Sequence, residues 1–194
     1  STYVPLNATL GFKASPVNGL WFNIFGGYRI SKDELFCNLV DADGYYFTHF
    51  LQDKAKTAYG GAELKYGYKD WFDASLKGTF YSWKTDNENE ELYLMTKPKF
   101  ELNFYAEAKV FEGLKVYLGY EYVQRKEYVI EEGNSSRDFG LGNISNLSVG
   151  ASYTFLKDLS VFGRVNNLLN KQYYYEYGYP AEKLNVLAGL SLAF

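Results

Sequence analysis

A single cysteine, Cys37, rules out an internal disulfide. A single histidine, His49, rules out a multi-histidine metal site. Net charge is only −3, so no basic field points to nucleic acid. No run of about 18 apolar residues occurs, which excludes a transmembrane helix. A signal peptide is also missing, and the chain opens Ser-Thr-Tyr. The expectation is therefore a processed protein or a piece of a longer one. What the 194 residues do have is aromatic rings, 20% of the total, with 20 tyrosines among them. Mean hydropathy of −0.31 suggests a soluble chain, but that average misleads if the apolar residues share one face.

They do. From Phe100 to Val110 every even position is apolar and every odd one is polar or tyrosine. A helix would mix the two sets; a strand separates them. The same alternation gives nine strands, with apolar faces over Val4–Ala14, Leu20–Ile30, Ala58–Tyr68, Phe72–Ser82, Phe100–Val110, Leu114–Tyr122, Leu147–Phe155, Leu159–Val165 and Leu184–Phe194. These faces hold 50 positions and no charge. With charged residues at 22%, about 11 would fall there if charge ignored the face.

The connections alternate in length. Short turns are predicted at 15–19, 69–71, 111–113 and 157–158, and long loops at roughly 31–57, 84–97, 126–144 and 170–183. In the first long loop, Asp43-Gly44 between two apolar runs predicts a hairpin that prolongs its two strands.

Alternation alone favours a soluble sandwich or barrel, because those are commoner. Four features reverse that choice. The predicted strands run 10–13 residues, longer than the ~5–6 of soluble sheets and suited to a tilted membrane crossing. Tight turns at one end and long loops at the other match the two sides of an outer-membrane barrel. Aromatics gather at both ends of the apolar face, as in interfacial girdles: Phe12, Phe22, Tyr66, Tyr68, Phe72, Tyr153, Phe155 and Phe194 toward the turns, Tyr28, Phe80, Phe100, Tyr120 and Tyr122 toward the loops. The opposite face is wet, carrying Lys13, Arg29, Glu63, Lys65, Asp73, Lys77, Glu101, Glu107, Lys109, Lys115, Glu121, Arg125 and Arg164. The expected fold is all-β, an antiparallel transmembrane β-barrel in an outer membrane, with its apolar face against lipid.

The tail is more specific. Asn167-Leu168-Leu169-Asn170, a tyrosine-rich loop, Tyr179-Pro180 and a last strand ending on Phe194 resemble the end of TonB-dependent receptors. The chain departs from that pattern at Glu182-Lys183, where Gly-Arg is expected. The tyrosine richness is similar to barrels of Bacteroidota. The resemblance covers about the last 35 residues. It implies a gated outer-membrane transporter of a Gram-negative bacterium that takes up a scarce ligand such as a siderophore, cobalamin or a sugar. It implies as partners membrane lipid, the TonB system acting through a plug, and the outer-membrane assembly machinery, which would read Phe194 as a terminal signal.

Nine strands is an odd count, whereas complete bacterial barrels have an even one. Residues 1–194 are thus expected to form the C-terminal portion of a larger barrel, 22-stranded in the family, with no plug domain among them. The alternatives are a passive porin-like or structural barrel and an outer-membrane enzyme.

No catalytic constellation stands out, and no cofactor or metal is expected. Glu101, Glu107 and Glu121 could pair as acid and base, but a lumen laced with lysines such as Lys99, Lys109 and Lys115 accounts for them. Residues 41–44 faintly resemble a calcium loop but lack the later ligands, so a turn accounts for them. The acidic stretch 86–91 reads as solvated. The ligand-contact candidates are Tyr173, Tyr174, Tyr175, Tyr177 and Tyr179, whose rings could stack on a sugar or an aromatic chelate at the barrel mouth. The competing reading is that they only cover the upper rim.

Overall fold

In the computed structural model the alternating segments are strands of one sheet. Described are residues 2–39, 47–85, 93–125, 129–132, 135–138, 141–176 and 179–193. The strands are β1 (Tyr3–Val17), β2 (Leu20–Leu39), β3 (Phe47–Tyr68), β4 (Phe72–Thr85), β5 (Pro98–Phe111), β6 (Leu114–Arg125), β7 (Val129–Glu132), β8 (Ser135–Asp138), β9 (Ile144–Leu156), β10 (Leu159–Asn166), β11 (Tyr174–Glu176), β12 (Tyr179–Pro180) and β13 (Asn185–Leu192). Nine of them pair antiparallel in the order β1-β2-β3-β4-β5-β6-β9-β10-β13. β7–β8 and β11–β12 form two small hairpins within the long connections. β1 and β13 are the two ends of the sheet and do not pair with each other among the described residues.

All nine expected strands are present, but only β6 and β9, with 12 and 13 residues, keep to the expected 10–13. β2 and β3 reach 20 and 22 residues, paired in one register out to Leu39 opposite Phe47, with a break at left-handed Asp33. This prolongs the first hairpin as the sequence predicts; its Asp43-Gly44 turn lies outside the described residues. β10 and β13 have only eight residues each. β10 stops because Asn167 turns left-handed, with φ of 50°.

The short-turn end is stitched. Each of the four turns offers a carbonyl to a strand of the neighbouring hairpin: Gly67 N–H donates to Gly19 (2.8 Å), Lys109 to Trp71 (2.7 Å), Thr154 to Gly113 (2.9 Å) and Ala193 to Asp158 (2.9 Å). Gly19 and Gly113 have φ of 83° and 87°, and a side chain on either would strike the backbone it is bonded to. The stitch therefore demands glycine there.

The apolar face is bare. Leu10 is 82% exposed and Leu190 74%. No second layer of the described residues covers it, unlike the core of a soluble sandwich. At the turn end Phe12 meets Phe22 at 6.1 Å, Tyr66 meets Phe72 at 6.2 Å, and Tyr153 meets Phe155 at 6.0 Å. At the loop end Phe80 meets Phe100 at 4.5 Å, and Phe100 meets Tyr122 at 6.3 Å. Rings thus cluster at both ends of the apolar face, in three groups at the turn end and one at the loop end. Phe194 lies outside the described residues.

The polar face has its own pattern. Four aromatic rings lie over the glycine directly opposite on the next strand: Phe25 over Gly61, Tyr59 over Gly27, Tyr117 over Gly150 and Phe162 over Gly189. Each glycine gives its neighbour's ring a flat seat. Gly27→Val should therefore displace Tyr59 and cost about 1–3 kcal/mol. Gly119→Val, with open space where its Cβ would go, should cost nothing measurable. Urea midpoints of the two variants check this, and equal values would contradict it.

Candidate functional site

The Asn167–Asn170 stretch explains itself at the level of single bonds. Asn167 is 1% exposed. Its Nδ2 donates to the carbonyls of Lys171 (2.8 Å) and Glu182 (3.2 Å), and its Oδ1 accepts from Lys171 N–H (3.2 Å). Its own N–H donates to Asn146 Oδ1 (3.1 Å). Asn170, also left-handed with φ of 51°, accepts from Leu184 N–H at Oδ1 (3.2 Å). Asparagine suits both places, since it tolerates this backbone and carries donor and acceptor together. The pair ties the start of the tyrosine-rich connection to its end.

That connection is more ordered than the sequence suggested. Tyr174 stands opposite Pro180 in the β11–β12 hairpin, and Ala181 N–H donates to the Tyr173 carbonyl (2.9 Å). Of the five candidate tyrosines, Tyr173 is packed away at 6% exposure, its hydroxyl accepting from Asn146 Nδ2 (3.1 Å). Tyr174 is half-buried. Tyr175 is 54% exposed and meets Tyr173 edge-on at 5.3 Å. Its hydroxyl donates to Glu121 Oε1 at 3.4 Å. Burial, the Tyr173 contact and the Glu121 charge together hold the Tyr175 phenol above its ordinary value. Tyr177 lies outside the described residues, as does the side chain of Tyr179.

Below the hairpin an open hollow of about 640 Å³ is lined by Asn146, Arg164, Asn166, Tyr173, Tyr175 and Asn185, among others. A second, of about 400 Å³, continues down the same wall past Tyr105 and Tyr117 and shares Asn146, Ser148 and Arg164 with it. Arg125, read in the sequence only as one of the wet-face charges, clamps the roof. It is 5% exposed, and its guanidinium donates to the carbonyls of Gly142 (2.8 Å), Leu141 (3.2 Å) and Tyr175 (3.4 Å). A guanidinium suits this role, since its planar fork of five donors can reach three carbonyls from two connections at once.

Across the sheet, the 93–97 segment docks on the prolonged β2–β3 hairpin. Tyr93 and Met95 are fully buried there. Glu34 gathers Lys97 Nζ (2.8 Å), Tyr93 Oη (2.8 Å) and Ser31 Oγ (3.1 Å). Burial alone would raise the Glu34 carboxyl, but Lys97 and the two hydroxyls outweigh it and hold it below the usual carboxylate range. A depressed folded value gives stability that is full above the unfolded pKa of ~4.3 and lost as pH falls through the folded one. Docking should therefore hold at pH 5–7 and loosen below about pH 4. Glu34→Gln should remove that dependence, as read from amide exchange of Thr96 and Lys97. Identical acid sensitivity in the variant would contradict the assignment.

The three lumenal carboxylates are engaged within the wall. Glu101 accepts from Tyr81 (3.1 Å), Glu107 from Tyr105 (3.0 Å), and Glu121 from Tyr175. Lys115 also stands 3.5 Å from Glu107. Such partners suit a wet, charge-balanced wall. Residues 41–44 and 86–91 lie outside the described residues.

No family model matches the sequence, and no curated protein matches it. Solved structures do. The chain is similar to the ferripyoverdine receptor of the outer membrane of Pseudomonas aeruginosa bound to ferripyoverdine, with TM-score 0.68 and 15% identity over 96% of this chain and 26% of that one. It is similar to the ferric enterobactin receptor of the same organism, with TM-score 0.67 and 17% identity over 97% of this chain and 31% of that one. The FpvAI receptor in complex with pyocin S2 gives TM-score 0.70 and 16% identity, over 96% and 27%. The chain thus spans between a quarter and a third of the length of these structures. Its antiparallel sheet has the fold of TonB-dependent receptor barrels. These matches lend no support to a Bacteroidota origin.

Proposed function

We propose that this chain is part of the barrel of a TonB-dependent outer-membrane receptor that takes up a scarce ligand, such as a siderophore, cobalamin or a sugar. One observation carries the reading: a bare apolar face with rings clustered at both ends, on a sheet that matches such barrels over nearly its whole length. Two unpaired edges support the reading as an arc, because open N–H and C=O groups in lipid cost several kcal/mol each. β1 and β13 then pair with further strands of a 22-stranded barrel, and a plug fills the lumen and couples it to the TonB system.

Ligand contact falls to the loop of Tyr173, Tyr174, Tyr175, Tyr177 and Tyr179. Tyr175 is its most accessible described ring, backed by Tyr173. In the full-length protein, Tyr175→Ala should lower ligand affinity about tenfold, while Tyr173→Phe, which keeps the ring, should not. Planar-bilayer recording of the purified full-length protein tests the class. A gated receptor stays closed until its plug is removed. A constantly open pore would establish the passive porin instead.

Phe194 is proposed as the assembly signal as well as a girdle ring. Deleting it should reduce folded protein in cells far more than it reduces stability after refolding in vitro. Equal losses would leave only the girdle role.

A further inference from the structure

On β2, β3 and β4 the uncharged outward face ends at Ile30, Ala58 and Ser82, and the next outward position on each strand is a lysine. Lys32 stands directly opposite Lys54, and Lys56 directly opposite Lys84. Lys54 and Lys56 share one face of β3, so the four side chains form a single basic patch. Their neighbours fix its direction: Ser31, Ala55 and Thr57, one residue along, are buried on the inner face, where Ala55 packs with Tyr93. Lys32 and Lys84 are exposed, and Lys54 and Lys56 half-buried. Among the described residues no carboxylate forms an ion pair with Lys32, Lys56 or Lys84. Like charges directly opposite each other destabilise a sheet, so this pattern calls for an anion. On β6 and β9 the outward positions beyond the rings are Gln124 and Ser145, both neutral, so the patch belongs to β2–β4.

We infer that this patch seats the phosphates of a lipid headgroup in the leaflet at the loop end, resting on the membrane reading above. Charge complementarity selects the chemistry, since clustered ammonium groups bind phosphate as point charges. Depth selects the source. Lys56 and Lys84 lie two residues beyond the level of Tyr28, and Lys32 and Lys54 four. That is roughly 7–14 Å along the strands, or about 5–10 Å of depth at a tilt of about 45°. The headgroup layer occupies about 5–8 Å beyond the hydrocarbon on each side. Direction excludes the lumen, because the patch and the tyrosine-lined hollow are on opposite faces of the sheet. Lysine suits the place: its apolar stem stays beside the hydrocarbon while its ammonium reaches the headgroups.

The test is the thermal unfolding midpoint of the full-length protein in dodecyl maltoside, a detergent without phosphate, as diphosphorylated lipid A is titrated in. The wild-type midpoint should rise, and lipid A stripped of its phosphates should leave it in place. Lys56→Gln/Lys84→Gln should need about tenfold more lipid for half the shift. Lys56→Arg/Lys84→Arg, which keeps both charges, should respond like wild type, as should Lys157→Gln at the turn end. Without lipid, Lys56→Gln/Lys84→Gln should melt no lower than wild type, because it relieves repulsion rather than removing a bond. If that pair fails to fold, Lys32→Gln alone decides. A glutamine variant that responds like wild type overturns the patch while leaving the membrane reading intact. An equal rise with stripped lipid A assigns the effect to the acyl chains and overturns the phosphate contact. A full rise with inorganic phosphate alone makes this a free-anion site and overturns the lipid source. A wild type that stays in solution without detergent overturns the membrane reading itself.

Discussion

Leu118→Arg should destabilise the folded barrel by about 2–4 kcal/mol in lipid, and Phe104→Arg similarly. Leu118 sits mid-strand on β6 between Ala106 and Val149, and Phe104 on β5 between Leu76 and Tyr120. All these neighbours are on the apolar face, so a guanidinium there has only hydrocarbon to enter. One residue along, Gly119 faces the lumen, opposite Tyr105 and Ser148, with nothing within 4 Å of where its Cβ would be. Gly119→Arg should therefore carry no lipid penalty and leave the unfolding midpoint near wild type. Tyr105→Arg disturbs the Glu107 contact but likewise meets water. A urea titration of full-length protein refolded into vesicles compares the four. Similar losses on both faces would mean that lipid is not what the even positions meet.

Asn167→Ala should cost about 1–3 kcal/mol locally, because it strips three part-buried hydrogen bonds at once. A further cost of about 1 kcal/mol comes from alanine in a left-handed backbone. The carbonyls of Lys171 and Glu182 lose their donor, and Lys171 N–H loses its acceptor. The expected result is a barrel that still folds but whose 171–182 connection is cut rapidly by protease. Asn167→Gly, which relieves only the backbone, should recover about 1 kcal/mol. A connection as resistant as wild type in Asn167→Ala would show that the asparagine is not what ties it down.

The strands were legible because one force writes them. On the proposed membrane reading, lipid on one side and water on the other impose period two, and from Phe100 to Val110 no position breaks it. Short turns were legible through their spacing and residues such as Gly19 and Gly113. Strand ends were less so. β10 stops at Asn166 because of the backbone of the next residue, and β2 continues past Ile30 because the 93–97 segment packs on it; neither cause has a periodicity. The small hairpins β7–β8 and β11–β12 were read as plain loops. Gly133-Asn134 between Val129-Ile130 and Ser135-Ser136 was a usable turn signal for the first. The site was least legible. Arg125 and Glu34 look like solvated charges in the sequence, and only long-range contact shows one clamping three carbonyls and the other holding Lys97 and Tyr93. Five neighbouring tyrosines looked equivalent, yet Tyr173 is packed inward on Asn146 while Tyr175, against its ring, is open; only long-range contact separates them.

The central claim, that this sheet is the wall of a lipid-embedded barrel, is most directly tested by spin labels placed singly at positions 114–122 of the full-length protein in vesicles. Collision rates with oxygen, which concentrates in lipid, and with a polar nickel chelate, which stays in water, are then compared. The account predicts a strict period of two, with positions 114, 116, 118, 120 and 122 favouring oxygen and 115, 117, 119 and 121 favouring the chelate. A flat profile, or oxygen preference on the odd positions, would contradict it.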